Sequence, residues 1–210
     1  VVDESGLNEE SYIKEVVSKY NTNHSQIRVK ANISTEDIFE SLDSLDEPYG
    51  DPSIVPSYLL SRLISNQYKV AISGDGGDEL LGGYLRMKNH LIKRNMFTSL
   101  YSNLYKVYPP VFGSGTRLKS FSNDFLDAQK SYIEDEKLIN LLFKTHINPE
   151  SEIDFINVKP IYKSILANEY RFYLSEQMMF KVDRTSMANS LEVRSPLVDN
   201  KLVEYILSSG

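Results

Sequence analysis

The sequence contains no cysteine and no tryptophan among its 210 residues. The absence of cysteine excludes disulfide bonds, thiolate metal sites and a cysteine nucleophile within this chain. It also fits a reducing compartment, so we expect a cytoplasmic protein. The three histidines are scattered without the spacing of metal ligands, which argues against a zinc site formed by His24, His90 and His146.

Charge and hydropathy argue against two further classes of protein. The net charge is −6 and no basic tract with interleaved aromatic residues occurs, so we expect no nucleic-acid partner. No apolar run reaches the roughly 20 residues of a membrane-spanning helix, and no signal peptide opens the chain. Because the sequence begins at Val1 without a methionine and ends at Gly210, we expect a fragment of a longer polypeptide.

The first 84 residues alternate between helical and strand patterns. Ser34 and Asp37 match a capping box that opens a helix. Residues 69–73 are typical of a short buried parallel strand. This order predicts an α/β fold with a partial doubly wound parallel sheet in residues 1–84. Residues 85–210 show helical patterns and no convincing strand, so we predict an all-helical region of the same domain.

Further elements are predicted from apolar residues at helical or strand spacing. A helix follows a cap at Asn8, and another ends near Gln67. A short strand is predicted over residues 26–31. A longer helix is predicted around residues 162–174, and Asp199 is predicted to cap the last helix.

The glycine-rich segment, residues 73–84, reads SGDGGDELLGGY and follows the predicted strand directly. Glycine permits positive φ and a close approach of the backbone to a ligand. Backbone N–H groups in such a loop can bind phosphate, whereas carboxylates beside phosphate require a divalent cation between them. The segment therefore indicates a site for a Mg²⁺–nucleotide. Walker A, dinucleotide-binding and EF-hand patterns do not fit its spacing. An acidic surface turn is the alternative interpretation.

Three stretches in order resemble the signatures of the glutamine-hydrolysing asparagine synthetase family. They are residues 73–84, residues 181–199, and the pair formed by residues 46–48 and 51–56. The second stretch ends in Pro-Leu-Val-Asp, where the family usually has Pro-Phe-Leu-Asp. The resemblance implies the C-terminal synthetase domain, with an adenine nucleotide alpha-hydrolase-like fold of the PP-loop ATPase type.

The resemblance also implies an activity. In the family, ATP and Mg²⁺ serve to adenylate a carboxylate, and ammonia then displaces AMP. We expect aspartate to be converted to asparagine with ammonia derived from glutamine. An amidotransferase acting on a sugar carboxylate for surface polysaccharide is one alternative, and a degenerate non-catalytic homologue is another.

Other parts of the complete enzyme are implied outside this sequence. They are a glutaminase domain and a Ser-Gly-Gly-x-Asp-Ser pyrophosphate loop before Val1, and a lysine-bearing segment after Gly210. We therefore expect this chain alone to be inactive. We also expect a homodimer.

Roles for residues of the glycine-rich segment follow from the same resemblance. Asp75 and Glu79 are the implied catalytic carboxylates. Asp75 takes part in adenylate formation and ammonia entry, and Glu79 assists proton removal or orders the loop. Asp78 is the implied Mg²⁺ ligand. Nucleotide contacts are implied for Ser73, Gly74, Gly76 and Gly77.

Basic residues in the second stretch are candidates for contacts with substrate or phosphate: Lys181, Arg184 and Arg194. The first two lie on one predicted helix, where local ion pairs are the alternative interpretation. For the third we favour an ion pair with Glu192 or Asp199 that locks the turn. Asp51 and Ser53 are interpreted as caps of the following helix rather than as ligand contacts.

Overall fold

The computed structural model describes residues 10–26, 33–47, 49–91, 103–109 and 155–209, together with residues 100, 112, 118 and 128. The cap at Asn8 lies outside these residues. The strand predicted over residues 26–31 also lies outside them, apart from Gln26.

Helices form most of the described structure. The α-helices are α1 (Glu10–Tyr20), α2 (Thr35–Asp43), α3 (Ile54–Ser65), α4 (Gly77–Leu81), α5 (Leu85–Leu91), α6 (Ile161–Asn168), α7 (Met179–Met187) and α8 (Asn200–Ser208). A π-helical segment (Glu169–Met178) joins α6 to α7. Short 3₁₀ turns occupy Tyr105–Val107 and Pro196–Val198. The strands are β1 (Val70–Ile72) and β2 (Glu192–Arg194).

The predicted helices and caps that fall within the described residues are present, although α3 ends at Ser65 rather than near Gln67. The capping box before α2 is confirmed, because the amide of Asp37 donates to Ser34 Oγ at 3.1 Å and the amide of Ser34 donates to Asp37 Oδ2 at 3.3 Å. Asp199 caps α8 by accepting from the amide of Lys201 at 3.0 Å. The longer helix around residues 162–174 is confirmed as α6 and the π-helical segment.

The two strands pair in parallel, with Val70 opposite Glu192 and Ile72 opposite Arg194. The predicted parallel strand at residues 69–73 is therefore confirmed, but its predicted burial is wrong, since Ile72 is 76 % exposed. A strand of a wound sheet is covered on both faces. In the described residues β1 has only β2 beside it, so the doubly wound sheet stays a prediction.

The expectation of an all-helical region in residues 85–210 is wrong at β2. This strand carries an alternating pattern in which Leu191 is buried, Val193 is half-buried, and the charged side chains of Glu192 and Arg194 point outward. Such alternation is typical of a strand with one covered face. The covered face of β2 packs on α7.

The hydrophobic core lies between the helices on the covered side of β2. Helix α7 contacts α3, β2 and the π-helical segment, while α6 contacts α4 and α5. The buried apolar side chains include Ile54, Leu59, Leu80, Met87, Ile165, Leu174, Leu191 and Val203. This packing holds α4 against α6 and the π-helical segment. Within the described part of the chain, no helix is both long and apolar enough to cross a membrane.

Candidate active site at the strand ends

The glycine-rich segment leaves β1 at the carboxyl end of the parallel pair. The amide of Ser73 donates to the carbonyl of Arg194 at 2.9 Å, which extends the ladder by one step. The hydroxyl of Ser73 lies 2.8 Å from that of Ser195, which follows β2 in the same way. Ligands of open α/β sheets bind at this end of the strands.

Two glycines of the segment allow close packing against the 3₁₀ turn at Pro196–Val198. Gly76 is buried with φ at +93°, a conformation that side chains disfavour. A Cβ at Gly76 would lie 3.1 Å from Val198 Cγ1, and one at Gly77 would lie 3.2 Å from Leu197 Cδ1. Glycine at these positions therefore lets the signature stretch of residues 73–84 contact the stretch of residues 181–199.

The two acidic residues in the first turn of α4 have opposite environments. Asp78 is exposed, whereas Glu79 is only 2 % exposed. The hydroxyl of Tyr84 donates to Glu79 Oε1 at 2.6 Å. Burial raises the pKa of Tyr84, and the bond to Glu79 and its negative charge raise it further. Tyr84 therefore keeps its proton and acts as a donor to Glu79.

Lys181 of α7 is buried, and its ammonium group points at the loop before α3. Its Nζ lies 2.7 Å from Ser53 Oγ and 3.4 Å from Asp51 Oδ2. Burial disfavours the ionised form of Asp51, but hydrogen bonds from Ser53 and the charge of Lys181 outweigh this and hold the pKa of Asp51 below its usual value. The positive charge of Lys181 is thus paired with the ionised carboxylate of Asp51.

A cavity of about 300 Å³ opens beside the strand ends. Ser73, Asp75 and Lys181 line it, together with Thr185 and the apolar faces of α3 and the strands. Polar groups that converge in a mostly apolar cavity are typical of a small-molecule site. The cavity therefore joins residues from two of the predicted site stretches.

The remaining predicted site residues lie elsewhere. Gly74, Gly76 and Gly77 are in the same segment but do not line the cavity, and neither do Asp78 and Glu79.

The two candidate arginines are engaged in surface ion pairs. Arg184 pairs with Asp46 at 2.7 Å. Arg194 pairs with Glu192 at 2.7 Å, so the predicted ion pair is present, whereas its role in locking the turn stays a prediction. Neither arginine lines the cavity.

The interpretation of Ser53 as a side-chain cap is wrong. Ser53 precedes α3 without a side-chain capping bond. Asp51 instead accepts from the amide of Ser53 at 2.9 Å and from its hydroxyl at 2.7 Å. Both side chains thereby hold Lys181.

Sequence reasoning missed two contacts of the site. Ser195 pairs with Ser73, and the Asp51–Ser53 turn binds Lys181. The alternation of residues 191–194 was a local signal for β2 and hence for the position of Ser195. The Ser53–Lys181 contact joins positions 128 residues apart, and no local pattern reveals such a contact.

Comparison with known proteins identifies the family of this chain. The asparagine synthase family model matches residues 2–209. The chain belongs to the asparagine synthase family.

Several curated relatives are similar over much of the chain. "Asparagine synthetase [glutamine-hydrolyzing] 1" of Bacillus subtilis is 28 % identical over 187 residues, which cover 80 % of this chain and 29 % of that protein. A "Putative asparagine synthetase [glutamine-hydrolyzing]" of Mycobacterium tuberculosis is 28 % identical over 171 residues, covering 74 % and 26 %. No solved structure gives a significant match.

A shorter match has higher identity. "Putative asparagine synthetase [glutamine-hydrolyzing] 2" of Methanocaldococcus jannaschii is 38 % identical over 86 residues, which cover 41 % of this chain and 17 % of that protein. The chain thus spans less than a third of the length of these relatives in the asparagine synthase family.

Proposed function

We propose that this chain is the synthetase part of an enzyme that amidates a carboxylate through an acyl-adenylate. The proposed acceptor is aspartate, and the proposed ammonia source is glutamine hydrolysed by a domain upstream. The observation that carries the proposal is the cavity at the strand ends, where Ser73, Asp75 and Lys181 meet. Membership of the asparagine synthase family supports it. A cytoplasmic location and a homodimer remain predictions.

The proposed reaction has two steps, adenylation of the carboxylate and displacement of AMP by ammonia. An oxygen of the acceptor carboxylate attacks the α-phosphorus of ATP, and pyrophosphate leaves with the electrons of the broken P–O bond. The nitrogen of ammonia then attacks the acyl carbon, a proton is removed, and AMP leaves. Such reactions depend on positioning and on neutralisation of negative charge.

The glycine-rich segment is proposed to bind the nucleotide. Its backbone amides follow the end of β1 and can donate to phosphate oxygens. The positive φ of Gly76 and its tight packing give the turn one conformation. The proposed nucleotide-binding residues are Ser73, Gly74, Gly76 and Gly77.

Asp75 is the proposed catalytic carboxylate. It lines the cavity with Ser73 and Lys181. Ammonium is not a nucleophile, so a carboxylate near the acyl carbon is needed to accept a proton. Lys181 lines the same cavity, and we propose that its ammonium group attracts an anionic substrate.

Asp78 fits a magnesium ion that arrives with the nucleotide. Mg²⁺ usually takes one or two protein carboxylates and completes its shell with phosphate oxygens and water. Asp78 is exposed in the first turn of α4. Among the described residues, no group of three acidic, histidine or cysteine side chains could hold a metal by itself. When bound, Mg²⁺ neutralises charge on the pyrophosphate.

The other candidates receive different roles in this proposal. The buried bond between Glu79 and Tyr84 supports loop ordering by Glu79 rather than proton removal. The surface ion pairs of Arg184 and Arg194 support structural roles for both.

The direct test uses the complete protein supplied with ATP, Mg²⁺, glutamine and aspartate. We expect release of AMP and formation of asparagine. AMP release with a sugar carboxylate but none with aspartate would transfer the proposal to the alternative acceptor. A protein that binds no ATP and releases no AMP with either acceptor would be the degenerate homologue, and the proposed activity would be wrong.

A further inference from the structure

We propose that Tyr84, Arg86, Glu169 and Tyr173 form a clamp that acts through Glu79 and sets the position of the turn at residues 73–77. The inference rests on the proposed function, because it assigns these residues to positioning the nucleotide-binding turn. None of the five lines the cavity. They are therefore positioning residues, and no contact with substrate is assigned to them.

The bond from Tyr84 to Glu79 is the end of the clamp nearest the turn. Its O–H···O distance is 2.6 Å, and residue Glu79 is only 2 % exposed. A buried charged group requires a donor, since leaving it unpaired costs more than an ordinary hydrogen bond contributes. Glu79 adjoins Asp78, so this bond fixes the rotation of α4 that directs the Asp78 carboxylate.

Arg86 holds Tyr84 in place from the other side. Its guanidinium carbon lies 4.0 Å from the ring centroid of Tyr84 and 4.1 Å from that of Tyr173. The two rings meet edge to face at 5.6 Å. A guanidinium stacks on aromatic rings in a way that an ammonium cannot reproduce. The orientation of the Tyr84 hydroxyl therefore depends on Arg86.

Glu169 anchors Arg86 to the helical layer. The arginine donates to it through Nε at 3.1 Å and Nη2 at 2.7 Å. Glu169 is buried at the start of the π-helical segment. Five residues further on, Leu174 would be 3.7 Å from a Cβ at Gly76. One helical segment thus supports both the clamp and the buried turn.

These contacts form one continuous connection from the π-helical segment to the first turn of α4. Every link is buried or half-buried, so water does not compete freely for the bonds. A displacement of the turn by a fraction of an ångström would separate the nucleotide from its acceptor. Such misplacement reduces the rate of the chemical step more than it reduces binding.

The experiment compares Tyr84→Phe with wild type in the complete protein. The variant keeps the ring that stacks on Arg86 and removes only the donor to Glu79. We expect kcat for AMP formation to fall about tenfold while KM for the acceptor stays within about twofold. Tyr205→Phe is the matched control, because Tyr205 is 69 % exposed on α8, and its kinetics should equal wild type.

A double-mutant cycle shows whether Tyr84 acts through Glu79. Glu79→Gln keeps an acceptor for the Tyr84 hydroxyl and should retain most of kcat. Glu79→Ala and Tyr84→Phe should each reduce kcat, and the double variant should be no slower than the worse single variant. Independent, multiplicative losses would overturn the inference.

A second variant tests the role of the Arg86 guanidinium that stacks on the two tyrosine rings. Arg86→Lys keeps the positive charge but loses the planar fork and the stacking, so it should reduce kcat about as much as Tyr84→Phe does. Arg62→Lys serves as the control, because Arg62 pairs with Asp37 and Glu40 on the surface between α2 and α3. Equal kinetics for both lysine variants would contradict the clamp.

Amide hydrogen exchange separates failure of the clamp from failure of the proposed function. In Tyr84→Phe we expect faster exchange at residues 75–80 and unchanged exchange in α7. This readout needs no catalysis, so a wild type that releases no AMP would sink only the proposed function. Unchanged exchange at residues 75–80 would sink the clamp, whatever the activity.

Discussion

The ammonium group of Lys181 lies 2.7 Å from the hydroxyl of Ser53, although 128 positions separate the two residues. Lys181 belongs to the signature stretch of residues 181–199, and Ser53 belongs to the stretch of residues 51–56. Asp51 completes the contact and carries the compensating charge. The loop before α3 therefore contributes to the site by fixing the lysine that lines the cavity.

Lys181→Met is predicted to weaken binding of an anionic substrate. Methionine keeps most of the buried volume, so loss of the charge is the main change. We expect KM for ATP or the acceptor to rise about tenfold, which corresponds to about 1.4 kcal/mol. Lys201→Met, which removes an exposed lysine from α8, should leave both KM values unchanged. The role of Lys181 is contradicted if the two variants have the same steady-state kinetics.

Asp51→Asn is predicted to change the acid limb of the stability profile. The pKa of Asp51 is below its usual value in the folded protein, so its ionised form favours folding. That contribution is complete above the unfolded-state pKa of about 3.9 and is lost as the pH falls through the lower folded value. The difference in unfolding free energy between wild type and variant should therefore be largest above about pH 5 and shrink below about pH 4.

Urea unfolding at a series of pH values measures this difference. Asp183→Asn is the control, because Asp183 is exposed on the same helix as Lys181. The control should differ from wild type by only a small amount. A difference for Asp51→Asn that grows toward acid would show that the carboxylate is not stabilised in the fold.

The sequence allowed prediction of those features that local patterns determine. The capping box at Ser34, the cap at Asp199 and the strand before Ser73 all follow from neighbouring residues, and the structure contains them. The position of Ser73 and Asp75 at a cavity agrees with the rule that loops after parallel strands form sites.

Features that depend on distant partners were not predictable in this way. Glu79 has the same local sequence environment as Asp78, yet one is buried and the other exposed. The difference arises because Tyr84 and the π-helical segment cover only one side of α4. Ile72 is a second example, because an apolar side chain in a strand was expected to be buried. It is exposed, since in the described residues only β2 lies beside β1.

Gly76→Ala is predicted to destabilise the protein and disturb the turn. Alanine disfavours the φ of +93°, and its Cβ would lie 3.1 Å from Val198 Cγ1. We expect a loss of about 1–3 kcal/mol in unfolding free energy, measured by urea denaturation. Gly50→Ala is the matched control, since its Cβ would meet no atom within 4 Å. Equal stability of the two variants would show that the turn relaxes without strain.

Asp78→Ala is predicted to reduce AMP formation strongly while changing the free energy of unfolding little. The carboxylate is exposed in the first turn of α4, so its removal should cost no more than about 1 kcal/mol, chiefly the favourable interaction with the helix dipole. Loss of the proposed magnesium ligand should reduce Mg²⁺-dependent AMP formation at least about a hundredfold. Asp183→Ala, an exposed aspartate on α7, controls for the removal of surface charge. If Asp78→Ala releases AMP at the wild-type rate across a titration of Mg²⁺, Asp78 is not a ligand of the metal, and the exposed carboxylate of α4 serves only the helix terminus.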